Sequence, residues 1–280
     1  MSEEGGPVSV GAVSDIQGDG GDVQPAIKGL PPVVNVGYKY ANAPIVEATL
    51  DLWVEGDPEV AIQDLATVLD QLEYQKPTEL YEVSHQSDWS DTGERLSSRA
   101  VRGYRAMSTD ESSGVEFTPE RFSFSVIGHY EDWSTFVALV EGCWARYRKV
   151  AAPQRIKRAS VRFVNLIRIP KDAFEVRDYL RTSFELSPYL PQMVTDFFSQ
   201  VEFVLPDIFP EFSPKSVVTV ALSPPQGGML LDIAVKADAD IDMRSESFST
   251  DLTDMLTKLR HAKNFVFESC ITDATRSLIS

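Results

Sequence analysis

The chain has 280 residues, of which 43% are hydrophobic and 10% aromatic, so it can build the core of one large domain or two small ones. Its 42 acidic residues outnumber its 26 basic residues, and the resulting formal net charge of −16 disfavours binding to nucleic acid and to anionic membranes. Two cysteines are too few for a disulfide scaffold, and no apolar run approaches the roughly 20 residues of a membrane helix.

Residues 1–36 are predicted to form a disordered, acidic, glycine-rich tail. They contain no aromatic residue, and so little apolar surface cannot offset the entropy cost of ordering the chain. The N-terminal sequence also lacks the apolar stretch of a secretory signal peptide. Together with the scarcity of cysteine, this predicts a cytoplasmic protein.

The first ordered elements are predicted directly behind this tail. Partial alternation of apolar and polar residues over 45–54 indicates a strand, and Asp57-Pro58-Glu59 then indicates the start of a helix. Strands are predicted over 80–127, including a hairpin that turns at 110–114. An amphipathic helix follows, whose apolar face is formed by Trp133, Phe136, Val137, Val140, Trp144 and Tyr147.

The second half of the chain repeats this order of elements. A strand, a helix and three further strands are predicted at 156–169, 172–182, 195–205, 215–223 and 229–237. Ser249 indicates the cap of a closing helix, and basic residues up to Lys263 suit its last turn because they face the negative end of the helix dipole. Residues 264–280 either extend this helix or add a short strand and a helix.

These patterns predict an α+β fold made of duplicated β-α-β-β-β-α units, which form antiparallel sheets with helices packed on one face. The first unit spans 37–152 and the second spans 153–280, and we expect the two to pack as one compact body. Residue similarity between the halves is weak, so the internal duplication is one of pattern.

Four stretches of the chain resemble a family of sporadically distributed, uncharacterised bacterial and archaeal proteins of about this length. The stretches are APIVEA at 43–48, YEDW at 130–133, VRFVNLIRIP at 161–170 and FESCITD at 267–273. The chain departs from the family pattern at Phe163, where tyrosine is more frequent. No activity is established for the family, so the resemblance implies no chemistry. Its patchy occurrence resembles that of mobile defence or toxin–antitoxin genes.

A basic segment runs from Arg146 to Arg168 without a single acidic residue. Guanidinium groups bind phosphate and carboxylate through paired N–H donors, so the strand in this segment is a candidate site for a phosphorylated small molecule, a nucleic acid or an acidic partner. The alternative, which we favour, is pairing with the protein's own acids. The candidate binding residues are Arg155, Lys157, Arg158, Arg162 and Arg168.

An acidic segment follows later in the chain. Asp238, Asp240 and Asp242 occupy every second position there, and Asp232 precedes them. Such carboxylates could hold a divalent cation, but Met243 breaks the pattern of a calcium loop, so we expect a solvated strand end or turn. The three histidines and two cysteines have no zinc-ligand spacing, and both cysteines are expected to be packed thiols. The sequence therefore predicts no metal and no cofactor.

Four polar residues stand in otherwise apolar segments: Glu47, Arg162, Asn165 and Glu268. A buried charge requires a partner, so a buried polar network is the expectation and a ligand-binding or catalytic site is the alternative. Glu47 and Arg162 lie on the opening strands of the two predicted units. We therefore expect these two side chains to form a charge-assisted pair near the junction of the units.

The leading functional hypothesis is a non-enzymatic intracellular regulatory or interaction protein, of the antitoxin-like or defence type, because no catalytic motif is recognisable. The alternative is an enzyme or sensor that binds a phosphorylated small molecule or nucleotide through the arginine-rich strand. Another protein is the expected partner, ahead of a phosphorylated small molecule and, less favoured, nucleic acid. No membrane is expected as a partner, and a homo-oligomer is compatible with the sequence.

Overall fold

A computed structural model describes residues 39–56, 60–70, 74–87, 95–171, 174–182, 185–191, 193–223 and 227–280. The elements in chain order are β1 (Ile45–Glu55), α1 (Ile62–Asp70), β2 (Thr78–Ser87), β3 (Arg95–Met107), β4 (Ser113–Thr118), β5 (Arg121–Ile127), α2 (Trp133–Ala151), β6 (Arg155–Arg168), α3 (Val176–Tyr179), β7 (Phe198–Val204), β8 (Lys215–Ser223), β9 (Gly228–Asp242), α4 (Phe248–Cys270) and α5 (Asp273–Ile279). The predicted tail at 1–36 and the helix start at 57–59 lie outside the described residues.

The described strands form a single antiparallel sheet of nine strands, in the order β2-β3-β4-β5-β1-β6-β9-β8-β7. With five helices, the described part of the chain has a mixed α+β fold. The two strands at the centre, β1 and β6, come from different halves of the chain and pair along nearly their whole length. The sheet therefore joins the N-terminal and C-terminal halves through backbone hydrogen bonds.

One face of the sheet carries the hydrophobic core. Because successive side chains of a strand point to opposite faces, Leu50 and Leu52 of β1 lie on the same face as Phe122 and Phe124 of β5. Trp144 of α2 packs on this face, with its ring 5.2 Å from that of Phe122. Both long helices cover it, since the ring of Phe163 on β6 contacts Phe136 of α2 and Lys263 of α4. We call the opposite side the open face.

The ends of the long helices follow from local chemistry. Asp132 caps α2 by accepting a hydrogen bond from the backbone N–H of Thr135 at 2.9 Å, as an N-cap aspartate does. The helix ends at Ala152, whose φ of 40° is left-handed. α2 therefore matches the predicted amphipathic helix, and its buried residues include Phe136, Val140, Trp144 and Tyr147.

Two helix predictions are corrected by the structure. The closing helix α4 begins after Ser247 instead of Ser249. As one of the two expectations had it, the following residues extend this helix, here to Cys270, and the short helix α5 comes after it. The basic residues expected in its last turn consequently lie in its middle. The helix predicted over 172–182 is represented among the described residues only by the single turn α3.

None of the helices in the described ranges combines the length and apolar character needed to cross a membrane.

Two glycines give a matched test of the sheet and helix packing. A methyl group on Gly103 of β3 would collide with the backbone carbonyl oxygen of Phe117, whereas one on Gly142 of α2 would meet nothing within 4 Å. Gly103→Ala should lower the free energy of unfolding by about 1–3 kcal/mol, because strand pairing must distort. Gly142→Ala should raise it by roughly 0.5–1 kcal/mol through better helix propensity. Urea unfolding measures both, and equal stability of Gly103→Ala and the parent would contradict this packing.

Candidate ligand pocket

The predicted arginine strand is β6, and its arginines face carboxylates of the neighbouring strand β9. The Nη2 atom of Arg162 lies 2.7 Å from an Asp232 carboxylate oxygen, and Arg158 Nε lies 2.9 Å from Asp238. Arg155 forms a salt bridge with Asp240. The basic segment and the acidic segment are therefore cross-strand partners on the open face.

The structure favours internal pairing for most of the predicted binding residues. Lys157 completes the series, with its Nζ atom 2.8 Å from a carboxylate oxygen of Glu55 on β1. Arg168, at the end of β6, forms no salt bridge with any residue of the described ranges. Within those ranges no three His, Cys, Asp or Glu side chains are grouped as metal ligands.

The predicted contact between Glu47 and Arg162 is confirmed, with 3.4 Å between Oε1 and Nη1. The pair is not buried, because 34% of the Glu47 side chain and 44% of the Arg162 side chain are exposed. Asp232, only 20% exposed, is the closer partner and accepts hydrogen bonds from both Nε and Nη2 of Arg162. The hydrogen bonds to Asp232 are the main cause of a raised pKa of the Arg162 guanidinium.

The other two members of the predicted polar set lie on the opposite side of the sheet. Asn165 is buried, and its Nδ2 atom donates to the backbone oxygens of Phe163 at 3.2 Å and Leu231 at 3.0 Å. Glu268 of α4 accepts a hydrogen bond of 2.6 Å from the Tyr40 hydroxyl. The four residues therefore form two separate groups, one on the open face and one beneath α4.

Asn165 and Glu268 both line a cavity of about 370 Å³. It lies where the start of β1, the end of β6, the start of α2 and the middle of α4 meet. Its lining residues are Lys39, Tyr40, Ala43, Pro44, Ile45, Tyr130, Glu131, Asp132, Trp133, Ser134, Asn165, Arg260, Lys263, Asn264, Phe267 and Glu268.

Lys263 is the central cation of this cavity. Its Nζ atom lies 4.0 Å from the centroid of the Phe163 ring, and no carboxylate of the described residues is within salt-bridge distance of it. Burial, together with repulsion from Arg260, lowers the pKa of the Lys263 ammonium to about 7, and attraction to Glu268 opposes this only in part. A substantial fraction of Lys263 is therefore uncharged at neutral pH.

Arg260 lies one helical turn before Lys263 and lines the same cavity. Its guanidinium carbon is 5.6 Å from the centroid of the Trp133 ring, a cation–π arrangement. Within the described residues Arg260 forms no salt bridge. Two neighbouring cations thus enter the cavity without a carboxylate bound to either.

The acids of the cavity, in contrast, have partners. Glu268 accepts hydrogen bonds from Tyr40 and from Arg276, whose Nε atom is 3.0 Å away. Asp132 caps α2 and also accepts from the Ser134 hydroxyl at 2.8 Å, and these hydrogen bonds lower the pKa of Asp132 to about 2. Asp132 and Glu268 are therefore engaged, whereas Arg260 and Lys263 form no salt bridge with any described residue. Of the other charged lining residues, Lys39 lies 3.8 Å from Asp132, and Glu131, 60% exposed, lies 4.0 Å from His129.

Aromatic rings form the walls. The Tyr130 ring meets Phe163 edge-on at 5.3 Å between centroids, and the Tyr40 ring meets Phe267 at 6.2 Å. Burial raises the pKa of Tyr130, and burial followed by the hydrogen bond to Glu268 raises that of Tyr40, so both phenols remain neutral near pH 7. These walls exclude water from one side of Lys263 and strengthen any charge interaction inside.

Both cysteines are buried and carry free thiols. Burial raises the pKa of each thiol, so neither has the thiolate character of a nucleophile. This agrees with the expectation of packed thiols.

The four stretches on which the family resemblance rests all reach this cavity. Ala43 and Pro44, Tyr130 to Trp133, Asn165, and Phe267 with Glu268 come from the four stretches in turn. No protein-family model and no curated protein matches the chain. The resemblance therefore remains a prediction.

The sequence did not point to Lys263 and Arg260 as site residues, because basic residues near the end of the closing helix were explained by the helix dipole. Leu256, Leu259, Val266 and Cys270 are buried at helical spacing, and Lys263 falls between them on the same helical face. A charged residue within such an apolar series was the available signal for a functional position.

Double-mutant cycles test the ion pairs of the open face. Substitution of Arg162 and Asp232 by alanine, singly and together, should give a coupling energy of up to about 1 kcal/mol, because the pair is hydrogen-bonded and Asp232 is largely covered. The same cycle for Arg162 and Glu47 should give a coupling energy of only about 0.2–0.5 kcal/mol, since this contact is longer and more exposed.

The exposed pair of Arg177 and Glu175, 3.7 Å apart, is the control and should show coupling near zero. Chemical denaturation measures all three cycles. A larger coupling for Glu47 than for Asp232 would contradict the assigned partner of Arg162.

Proposed function

We propose that this protein binds a small organic anion in the cavity beneath α4. The observation that carries the proposal is Lys263, whose ammonium enters the cavity beside Arg260 without a carboxylate partner among the described residues. Lys263 is only partly exposed, and a charge largely removed from water without a counter-ion is costly, so an incoming anion lowers that cost. The cavity volume of about 370 Å³ lies within the range of about 300–1,000 Å³ that is usual for small-molecule sites.

Proton uptake should accompany this binding. A bound carboxylate or phosphate stabilises the charged form of Lys263 and so raises its pKa above the value of about 7 in the free protein. Arg260 would hold the anion from the neighbouring turn, and the aromatic walls would contact its apolar part. An enzyme or sensor for an anionic small molecule was the alternative hypothesis from the sequence. We retain that class of function, but we assign the binding site to the cavity beneath α4 instead of the arginine-rich strand β6.

A regulatory or interaction role is the second candidate, and the observation that favours it is an apolar sheet edge. Phe198, Val201 and Val204 of β7 are 71%, 48% and 54% exposed. The antitoxin-like or defence assignment and the cytoplasmic location remain hypotheses from the sequence.

We also infer that the two halves, 37–152 and 153–280, arose by duplication. Each half begins with a central strand, β1 or β6, and continues through a short helix and a strand meander to a long helix. The strand that precedes each long helix, β5 or β9, pairs with the central strand of its own half. The halves differ in meander length, with β2 to β5 in the first and β7 to β9 in the second.

Isothermal titration calorimetry with inorganic phosphate, pyruvate and benzoate tests the binding proposal. At least one probe should bind at pH 7, with a heat that depends on the ionisation enthalpy of the buffer because a proton is taken up. Above pH 7 the affinity should fall by roughly tenfold per pH unit, since an increasing share of free Lys263 is uncharged.

Lys263→Met should remove both the binding and its pH dependence, with thermal unfolding used to show that the variant folds. Lys258→Met is the control, because Lys258 lies on the same helix, is 2.7 Å from Asp254 and does not line the cavity. Absence of binding of all three probes, or equal binding by the parent and Lys263→Met, would refute the proposal.

A further inference from the structure

We propose that β7 is a self-association site, at which two copies of this chain join their sheets through antiparallel pairing of β7 with β7. β7 is the last strand of the described sheet and pairs on one side with β8. The inference does not depend on the ligand pocket. It rests on the outer backbone edge of β7, which no described strand pairs with, on its exposed side chains and on the complementarity of the strand with itself.

The backbone register shows which groups of β7 face away from β8. The amide of Leu222 donates to the carbonyl of Phe197, and the amide of Leu205 donates to the carbonyl of Pro214. Because hydrogen-bonding direction alternates along an antiparallel strand, the odd-numbered residues of β7 bond to β8. The N–H and C=O groups of Phe198, Gln200, Glu202 and Val204 therefore point to the outer edge.

This edge has few of the features by which sheets avoid association. Edge strands are usually protected by charged residues, above all lysine, by proline or by a bulge, and β7 has no lysine, no proline and no register shift against β8. Its one charged residue, Glu202, is paired with Lys236, whereas β2, at the other end of the described sheet, carries both Glu79 and Glu82. The chain before β7 adds two more exposed apolar side chains, Tyr189 at 96% and Met193 at 87%.

Self-pairing about a twofold axis at Val201 creates no repulsive contact along the strand. Phe198 of one copy would lie opposite Val204 of the other, and Gln200 opposite Glu202, where the amide can donate to the carboxylate. The charge of Glu202 is already compensated by Lys236, whose Nζ atom is 3.2 Å away. All four outward-facing residues would exchange backbone hydrogen bonds, and Val201 would meet its counterpart at the axis.

Sedimentation velocity over a concentration series tests this inference on the full chain. The parent should form a dimer at micromolar concentration. The dimer should strengthen with added salt, because each copy carries a net charge of −16 and salt screens the repulsion. A parent that remains monomeric throughout the series overturns the proposal.

Charge substitutions at the axis identify the interface. Val201→Lys and Val201→Glu should each be monomeric, because like charges meet at the twofold axis, and an equimolar mixture of the two should form a heterodimer. Leu139→Lys is the matched control, since Leu139 is an exposed apolar residue of α2, 49% exposed, and should leave the dimer intact. A dimer that persists in both Val201 variants, or a mixture that fails to associate, overturns the assignment to β7.

Discussion

The antiparallel pairing of β1 with β6 is the constraint on which the rest of the structure depends. It joins the two halves of the chain and fixes which residues of β6 face the core. Ala159, Val161, Phe163 and Ile167 lie under the helices, while Arg162 and its neighbours face the carboxylates of β9. One strand thus separates an apolar, helix-covered face from an ion-paired open face.

The cavity lies at the end of β6, where polar side chains occupy positions on the otherwise apolar, helix-covered face of the sheet. Asn165 takes a place in the apolar series and binds backbone oxygens, and α4 presents Lys263 above Phe163 instead of an apolar side chain. The acids nearby are used for capping α2 and for holding Tyr40 and Arg276. Within the described residues Lys263 therefore has no carboxylate partner, while Glu268 and Asp132 are hydrogen-bonded, an arrangement that suits an anionic ligand.

Local patterns made much of the sheet predictable. Alternation identified β1, β6 and β8 with nearly correct bounds, and the helical spacing of its apolar and aromatic residues identified α2. The extent of β9 and α4 was underestimated, since both continue through charged residues whose partners come from distant parts of the chain. Asp238 and Asp240 lie at an exposed strand end, as expected, but their partners Arg158 and Arg155 could not be assigned from the sequence because they lie some 80 residues earlier. The pocket could not be predicted either, because its lining residues also come from distant parts of the chain.

The most direct test of the central claim is the pKa of Lys263, measured by carbon-detected NMR of the lysine ε-methylene in the free protein and with saturating anion. We expect a pKa near 7 for Lys263 in the free protein and a higher pKa in the complex. A free-protein pKa near about 10.4, the ordinary value for a solvated lysine, would contradict the account, because the ammonium would then be neither desolvated nor in need of a counter-ion.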